Sequence, residues 1–450
     1  MSKHLLVIDT WSNALDLCMR AQEWGWEVVW FDQNRKDGSH RMAGRGLVPK
    51  CVDFDALRKK WIGWADLIYL PDNTAYLDML EPYRALDYPI FGCSKEAAEW
   101  ELDRDMGKAV FKAAGMQTIP GKAFHDFGDA ARFVEKNPTW TVCKPSGDAN
   151  KVLSYVGDDA ASLIYMLEDR WPKNEKYVAD AKKYGFILQE KKVGCEFAVG
   201  GWFGPGGWCS GWSENFENKK FMDGDLGPTT GEMGTLVQIV RNSKLADIAL
   251  KPLTKALEKI RYVGHIDVSG CIDDEGEFWP FEATMRDGWP LRHNHQSLIR
   301  GDPVQWMLDL VNGYDTMDVM FDVHSVSVVM TIPDFPLSKL TAREVEGIPV
   351  YNANDKEHVH LSGVMLKEIP VQIGDRVVRM PGYATTDDYV AVITGTGDTI
   401  TGARRSAYAA CRKLKIASND FEYRQDIGAG RVREQLPMIQ KHGFAKGFSY

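Results

Sequence analysis

The sequence predicts a multidomain chain of mixed α/β and α+β class, with a small doubly wound N-terminal unit ahead of a larger strand-rich body. Three observations predict it. The first 115 residues alternate short apolar runs with helical periodicity, two strand-like runs flank the turn Asp273-Asp274-Glu275-Gly276, and strand patterns from Ser325 onward precede an amphipathic helix. A length of 450 residues accommodates several cores. A 44% hydrophobic and 26% charged composition places the chain among ordinary globular proteins.

In chain order, Leu5 to Ile8 is a buried-type strand, Asn13 to Trp24 a helix, and Glu27 to Phe31 a second strand. Leu67 to Leu70, ending at Pro71-Asp72-Asn73, and Ile90-Phe91 complete the unit. The first turn, Asp9-Thr10-Trp11-Ser12-Asn13, has no glycine fingerprint, which argues against a dinucleotide-binding Rossmann enzyme. A helix over Asp103 to Ala114 carries Lys108. The strand Thr141 to Lys144 ends in a second lysine and runs into the turn-rich stretch Pro145 to Lys151. A helix around Ala160 to Leu167 and a strand Phe186 to Glu190 follow. Two lysines aimed at one place, with a loop between strands, suit a phosphate site that closes; each lysine taken alone reads as a solvated surface residue.

A strand through Gly200 leads into a glycine- and tryptophan-rich turn over Gly201 to Trp212, and then into a loop, Asp223 to Gly234. The spaced aspartates there are not a calcium loop, since Pro228 stands at position six and Gly234 at position twelve. Lys244 to Ile260 is a helix bent or restarted at Pro252. It delivers the chain to a hairpin whose second strand ends on Glu282, with Arg286 and Asp287 close behind. A carboxylate at a strand end with an arginine one loop away suits a metal-bound polyphosphate beside an anionic substrate. His293 and His295 flank Asn294 in an expected loop, without the further ligands a metal site needs. Val304 to Val311 is helical. Strands are expected near Val326 to Ile332, Val359 to Met365 and Tyr389 to Thr394, and Gly395-Thr396-Gly397-Asp398 reads as a tight strand-to-helix turn.

The net charge of −9 argues against a general nucleic-acid binder. Eight scattered cysteines without a CxxC pair read as reduced thiols, and no apolar run reaches membrane-spanning length, so a cytoplasmic protein is expected.

Four stretches carry a family resemblance. Asp225-Leu-Gly-Pro-Thr-Thr-Gly-Glu-Met-Gly234 resembles an Asp-x-Gly-Pro-Asn-Thr-Gly-Gly-Met-Gly loop. Phe281 to Pro290 resembles a Glu-Phe-Asn-x-Arg-Phe-Gly-Asp-Pro segment. Thr394-Gly395 through Ala407-Tyr408, and Tyr423-Arg424-Gln425-Asp426-Ile427-Gly428, resemble two closing motifs. With Phe91-Gly92, Lys108 and Lys144 in order, the chain resembles the ATP-grasp ligases, and among them the phosphoribosylamine–glycine ligase family, over nearly its whole length.

The resemblance implies an ATP-grasp fold: residues 1–115 a pre-ATP-grasp domain, 116–190 a lid subdomain, 191–322 a central subdomain with the metal site, and 323–450 a C-terminal α+β domain. It implies ATP-dependent joining of glycine or another amino acid to an amine through an acyl phosphate. Lys108, Lys144 and Lys151 would neutralise ATP phosphates, with Ser146 to Lys151 as the lid. Gln189, Glu190, Lys191 and Val193 would form the adenine hinge, with Glu196 near the ribose. Glu282 and Thr284 would hold magnesium, with manganese as the alternative. Arg286 would pair with the substrate carboxylate, and Asp225, Thr230 and Gly288 would line the acceptor side; Lys144, Asp225 and Arg286 are the catalytic candidates.

The chain departs from the family where the acceptor is gripped. Asp9 to Asn13 replaces a Gly-Gly-Arg-Glu turn, Pro71-Asp72-Asn73 replaces Gly-Pro-Glu, and Thr331 to Pro336 replaces a glycine-rich turn; at the expected metal site, Thr284 stands for an asparagine ligand. Three readings stay open: a ligase with a different amine, the phosphoribosylamine reaction itself, and an inactive ATP-binding scaffold. The expected partners are small molecules, with no membrane, and the expected state is a monomer or homodimer.

Overall fold

The computed structural model describes residues 2–32, 42–73, 75–146, 153–337 and 342–450. The chain packs into two compact units, one of residues 1–98, 197–268 and 284–450, the other of residues 99–196 and 269–283.

The first unit opens with a parallel sheet in the order Lys50–Cys51, Trp26–Asp32, Lys3–Asp9, Leu67–Tyr69, Ile90–Phe91. Leu5, Leu6 and Val7 on its middle strand are fully buried, as expected for a strand covered on both faces. In place of glycines, Asp9 closes the first turn by accepting hydrogen bonds from the Trp11 and Ala14 amides at 2.9 and 2.8 Å. Burial pushes the Asp9 carboxyl up to about 6, with the negative charges of Asp32 and Asp72 acting in the same direction.

The same unit holds an antiparallel sheet ordered Gly264–Ile272, Cys195–Gly204, Trp212–Met222, Leu226–Val240, His324–Thr331, Tyr389–Gly397, Val359–Leu361. Helix Ile400–Lys413 packs on it, capped by Thr399, whose hydroxyl accepts from the Gly402 amide. A Cβ on Gly395 would stand 2.1 Å from the Ala407 nitrogen. The Gly-Thr-Gly run therefore exists for close helix–strand approach, consistent with the expected turn.

Four local expectations differ from the structure. The expected loop over Asp223 to Gly234 is mostly strand, Leu226–Val240, paired with Trp212–Met222 through two register shifts; its glycines serve positive φ at Gly224, Gly227 and Gly234. The glycine- and tryptophan-rich stretch is largely strand too, because Gly201 makes room for the Trp208 and Trp212 rings, which lie 5.2 Å apart. His293 and His295 sit in helix Leu291–Leu298 and are buried. The expected strand over Val359 to Met365 is split, and its second part opens a ten-residue hairpin, Val364–Ile373 with Arg376–Thr385.

The second unit contains a four-stranded sheet ordered Gly121–Phe124, Phe186–Gln189, Val142–Pro145, Tyr155–Val156. Phe127, Val134, Leu163, Leu167, Trp171, Phe186 and Leu188 form its core. Helix Arg104–Ala113 begins at Asp103, whose side chain accepts from the Asp105 and Met106 amides. Residues 269–283 add the expected hairpin, and Asp273 fastens its turn by accepting from the Glu277 amide and the Trp279 indole, both at 2.8 Å. Among the described residues no helix is long and apolar enough to cross a membrane.

Glu214 is buried in the first unit and accepts a 2.7 Å hydrogen bond from Ser243; burial pushes its carboxyl up to about 7. The folded chain holds this proton between the ordinary carboxylate range and about pH 7 while the unfolded chain has lost it. Glu214 therefore lowers stability progressively as pH rises through that window, by about 3 kcal/mol in total. Urea unfolding from pH 4 to 8 should show that slope flattened in Glu214→Gln, and identical slopes in both proteins would refute the assignment.

Candidate functional site

In the second unit, Trp100, Arg104, Lys108, Phe111, Lys144, Ile187, Gln189, Phe281 and Glu282 line one pocket, together with Glu101 and Gly107. Three local rules put them there. Arg104, Lys108 and Phe111 recur at four- and three-residue spacing and so share a helix face. Strand Phe186–Gln189 pairs on both sides, aligning Gln189 with Gly121 on one neighbour and Ile187 with Lys144 on the other. The absent side chain of Gly121 leaves room for Lys108, whose Nζ would lie 2.8 Å from a Cβ at that position.

The Lys144 ammonium lies 5.8 Å from the Phe281 ring centroid. Burial lowers the Lys108 pKa, with Asp105 opposing the shift. Partial desolvation strengthens each cation's attraction for an anion, so two ammonium groups in one half-buried pocket suit a polyphosphate. Beyond Gln189 the hinge turns away from the sheet. The Glu190 and Lys191 amides donate to the Pro120 and Thr139 carbonyls at 3.4 and 2.8 Å, and Lys191 Nζ donates to the Gly157 carbonyl at 2.9 Å. Val193 and Glu196 are exposed. Gly194 approaches the hairpin so closely that a Cβ would stand 2.2 Å from the Ile272 oxygen. Lys151 lies outside the described residues.

Glu282 and Thr284 alternate with buried Ala283 and Met285 on strand Phe278–Thr284 and the residues after it, so both oxygen-bearing side chains share the half-buried face. Among the described residues no three His, Cys, Asp or Glu side chains converge as a metal cage. That donor set fits magnesium, which takes one or two carboxylates and draws its other ligands from phosphates and water.

The carboxylate- and acceptor-side candidates fall in the first unit. Arg286 Nε lies 3.7 Å from Asp72, and its Nη1 donates to the Asp287 carbonyl at 3.0 Å. Asp287 is buried, accepts a 2.5 Å hydrogen bond from Tyr69 and lies 3.6 Å from Arg292, which fixes the loop carrying Arg286. The Gly288 carbonyl accepts from the Arg292 amide and starts helix Leu291–Leu298. Asp225 has a structural partner the sequence did not announce: Arg424, 2% exposed, donates to Asp225 at 2.8 Å and to both oxygens of Asp426 at 2.8 and 2.7 Å. Arg431 reaches Asp225 at 3.3 Å. Thr230 donates to the Lys219 carbonyl at 2.9 Å. Sequence reading missed Trp100 and Arg104, whose spacing from Lys108 was the available signal. It also missed the buried carboxyl of Glu232, whose signal was a glutamate where the loop it resembles has a glycine.

No protein-family model matches the chain. Among curated proteins it is 25% identical to the phosphoribosylamine–glycine ligase of Ralstonia nicotianae over 383 residues, covering 81% of this chain and 83% of that protein. It is 23% identical to the enzyme of the same name from Lactococcus lactis over 378 residues, covering 81% and 84%. Among solved structures, phosphoribosylamine–glycine ligase from Thermotoga maritima superposes with a TM-score of 0.69 at 19% identity, covering 94% of this chain and all of that one. The biotin carboxylase domain of a Hydrogenobacter thermophilus 2-oxoglutarate carboxylase, solved with ADP, magnesium and bicarbonate, superposes with a TM-score of 0.61 at 14% identity, covering 94% and 92%. The fold is the ATP-grasp fold, as the sequence predicts.

Because Arg424 is buried between two acids, Arg424→Ala should destabilise the protein by about 3–5 kcal/mol. A urea midpoint unchanged within error would show that the cluster holds nothing together.

Proposed function

We propose that the chain is an ATP-dependent carboxylate–amine ligase that forms an amide through an acyl phosphate and releases ADP and phosphate. The observation that carries this is the shared pocket of Lys108, Lys144, Gln189 and Glu282, set on an ATP-grasp scaffold. The names of the sequence relatives support the same reaction class.

The substrate carboxylate attacks the γ-phosphorus of ATP, the bond to ADP breaks, the amine attacks the acyl carbon and phosphate departs with the electron pair. No protein nucleophile is needed, so positioning and charge neutralisation account for the catalysis. Lys108 and Lys144 neutralise phosphate oxygens, joined by Lys151 of the lid. The hinge from Gln189 through Glu190, Lys191 and Val193 holds the base, with Glu196 toward the ribose. Arg286 pairs with the substrate carboxylate, while Asp225, Thr230 and Gly288 shape the acceptor side. Glu282 and Thr284 would hold a magnesium ion, or manganese in its place, which would supply Lewis-acid chemistry at the phosphates.

The acid is glycine or another amino acid. The amine is either phosphoribosylamine, a reading favoured by the relatives' names, or a different one, favoured by Asp9, Asp32 and Asp72 at the carboxyl end of the N-terminal sheet. The substrates are small molecules, the protein is a cytoplasmic monomer or homodimer, and its eight cysteines stay reduced, consistent with their being free and buried.

ADP release against a panel of amino acids and amines, followed by product mass, tests the assignment; tight ATP binding without ADP from any pair would leave only an inactive scaffold. Glu282→Gln should abolish turnover while the protein still folds, and full activity would move the metal elsewhere. Lys144→Ala should raise the KM for ATP by an order of magnitude or more, and an unchanged KM would remove Lys144 from the site.

A further inference from the structure

The first unit contains a buried acidic face that the ATP chemistry does not use. Glu232, on strand Leu226–Val240, is 7% exposed and accepts a short hydrogen bond from the Thr235 hydroxyl. Asp267, 3% exposed, enters from strand Gly264–Ile272 and accepts a 2.9 Å hydrogen bond from Asn215 Nδ2. Asn215 is fully buried, and with its amide nitrogen aimed at Asp267, its Oδ1 has no hydrogen-bond partner among the described residues. The hydroxyl of Tyr389 is likewise buried without a partner. Glu217, across the sheet from Thr235, is paired with Lys219 at 3.0 Å. Burial holds the Glu232 carboxyl well above the usual range, with Glu217 and Asp267 reinforcing the shift and Lys219 opposing it.

This face adjoins the arginine loop. His265, two residues before Asp267 on the same strand face, donates from Nδ1 to the Arg286 carbonyl at 3.4 Å. Gly200 keeps the floor low: a Cβ there would stand 2.5 Å from His265 Nε2 and 3.0 Å from Asp267 Oδ2.

Two buried carboxyls and an unpartnered amide oxygen make a surface rich in acceptors. It repels a phosphate and attracts a group that carries positive charge and several N–H donors. Among the described residues no three His, Cys, Asp or Glu side chains converge there as a metal cage.

We propose that Glu232 receives the acceptor substrate as an ammonium ion and takes its proton, so that the amine of this enzyme is a cationic primary amine. The proposal rests on the ligase reading above and narrows it. The step balances: the ammonium gives one proton to the Glu232 carboxylate, the freed electron pair forms the bond to the acyl carbon, the acyl–oxygen bond breaks, and the second proton of the nitrogen leaves with the phosphate. Glu232 then returns the proton to solvent.

The test compares two nucleophiles in the full-length protein with ATP, magnesium and the amino acid that gives the most ADP: ethylenediamine, protonated at neutral pH, and hydroxylamine, largely unprotonated there. Glu232→Gln should lower kcat/KM for ethylenediamine about 100-fold, the scale of a lost general base, and lower hydroxamate formation from hydroxylamine at least 10-fold less. Equal losses for the two nucleophiles, or no loss for either, would overturn the role of Glu232 while leaving the ligase reading intact. A wild-type protein that releases no ADP with either nucleophile would instead bring down the ligase reading itself. Should Glu232→Gln misfold, Glu232→Asp keeps a carboxyl and is expected to retain the wild-type ratio between the nucleophiles; a ratio fallen to that of hydroxylamine alone would contradict the proposal.

Discussion

The two-sided pairing of strand Phe186–Gln189 is the constraint on which the pocket of Lys108, Lys144, Gln189 and Glu282 depends. Its hydrogen bonds to Gly121–Phe124 and Val142–Pro145 set the register that brings Ile187 opposite Lys144 and Gln189 opposite Gly121. A slip of one residue would turn each of these side chains to the other face of the sheet. The glycine in that register is what admits the Lys108 ammonium, so backbone pairing and charge placement are one problem with one solution. The core of Phe186, Leu188, Trp171 and Leu163 on the unit's other side holds the register because any slip would expose it.

Elsewhere the fold is governed by how buried charge is satisfied. Arg424 sits between Asp225 and Asp426, and Asp287 between Tyr69 and Arg292; Asp32 takes Lys50 at 2.7 Å. Such arrangements contribute little net stability when intact, yet removing one member strands the other in low dielectric. They act as fasteners of geometry. Arg424 ties the C-terminal segment to the hairpin of Asp225, and Asp287 holds the loop of Arg286. Glu232 departs from this pattern, with two neighbouring acids and one lysine around it.

The contrast between the two units is chemical. The pocket of the second unit brings Arg104, Lys108 and Lys144 together. The face beside Arg286 collects carboxyl and carbonyl oxygens. The acidic face carries Glu232 where the loop that this stretch resembles has a glycine.

Continuous apolar runs located the parallel strands, because strands buried on both faces leave no polar positions. The helix expected over Asp103 to Ala114 was located too, and Asp103 caps it, because a short polar side chain at an N-cap has a local role. That Lys108, Lys144 and Glu282 share one pocket was also expected from the sequence, since each stands in a local pattern. The sequence could not reveal that Asp223 to Gly234 pairs as a strand, that His293 and His295 are interior helix residues, or that Arg424 lies on Asp225. Each of these is set by a partner about 10 to 200 positions away, and no local period records it. What the sequence by itself determined was the identity of the elements and the residue types available for phosphate and metal. Tertiary structure alone decided which charges meet and which are buried beside other acids, because desolvation and pairing exist only once distant segments have packed.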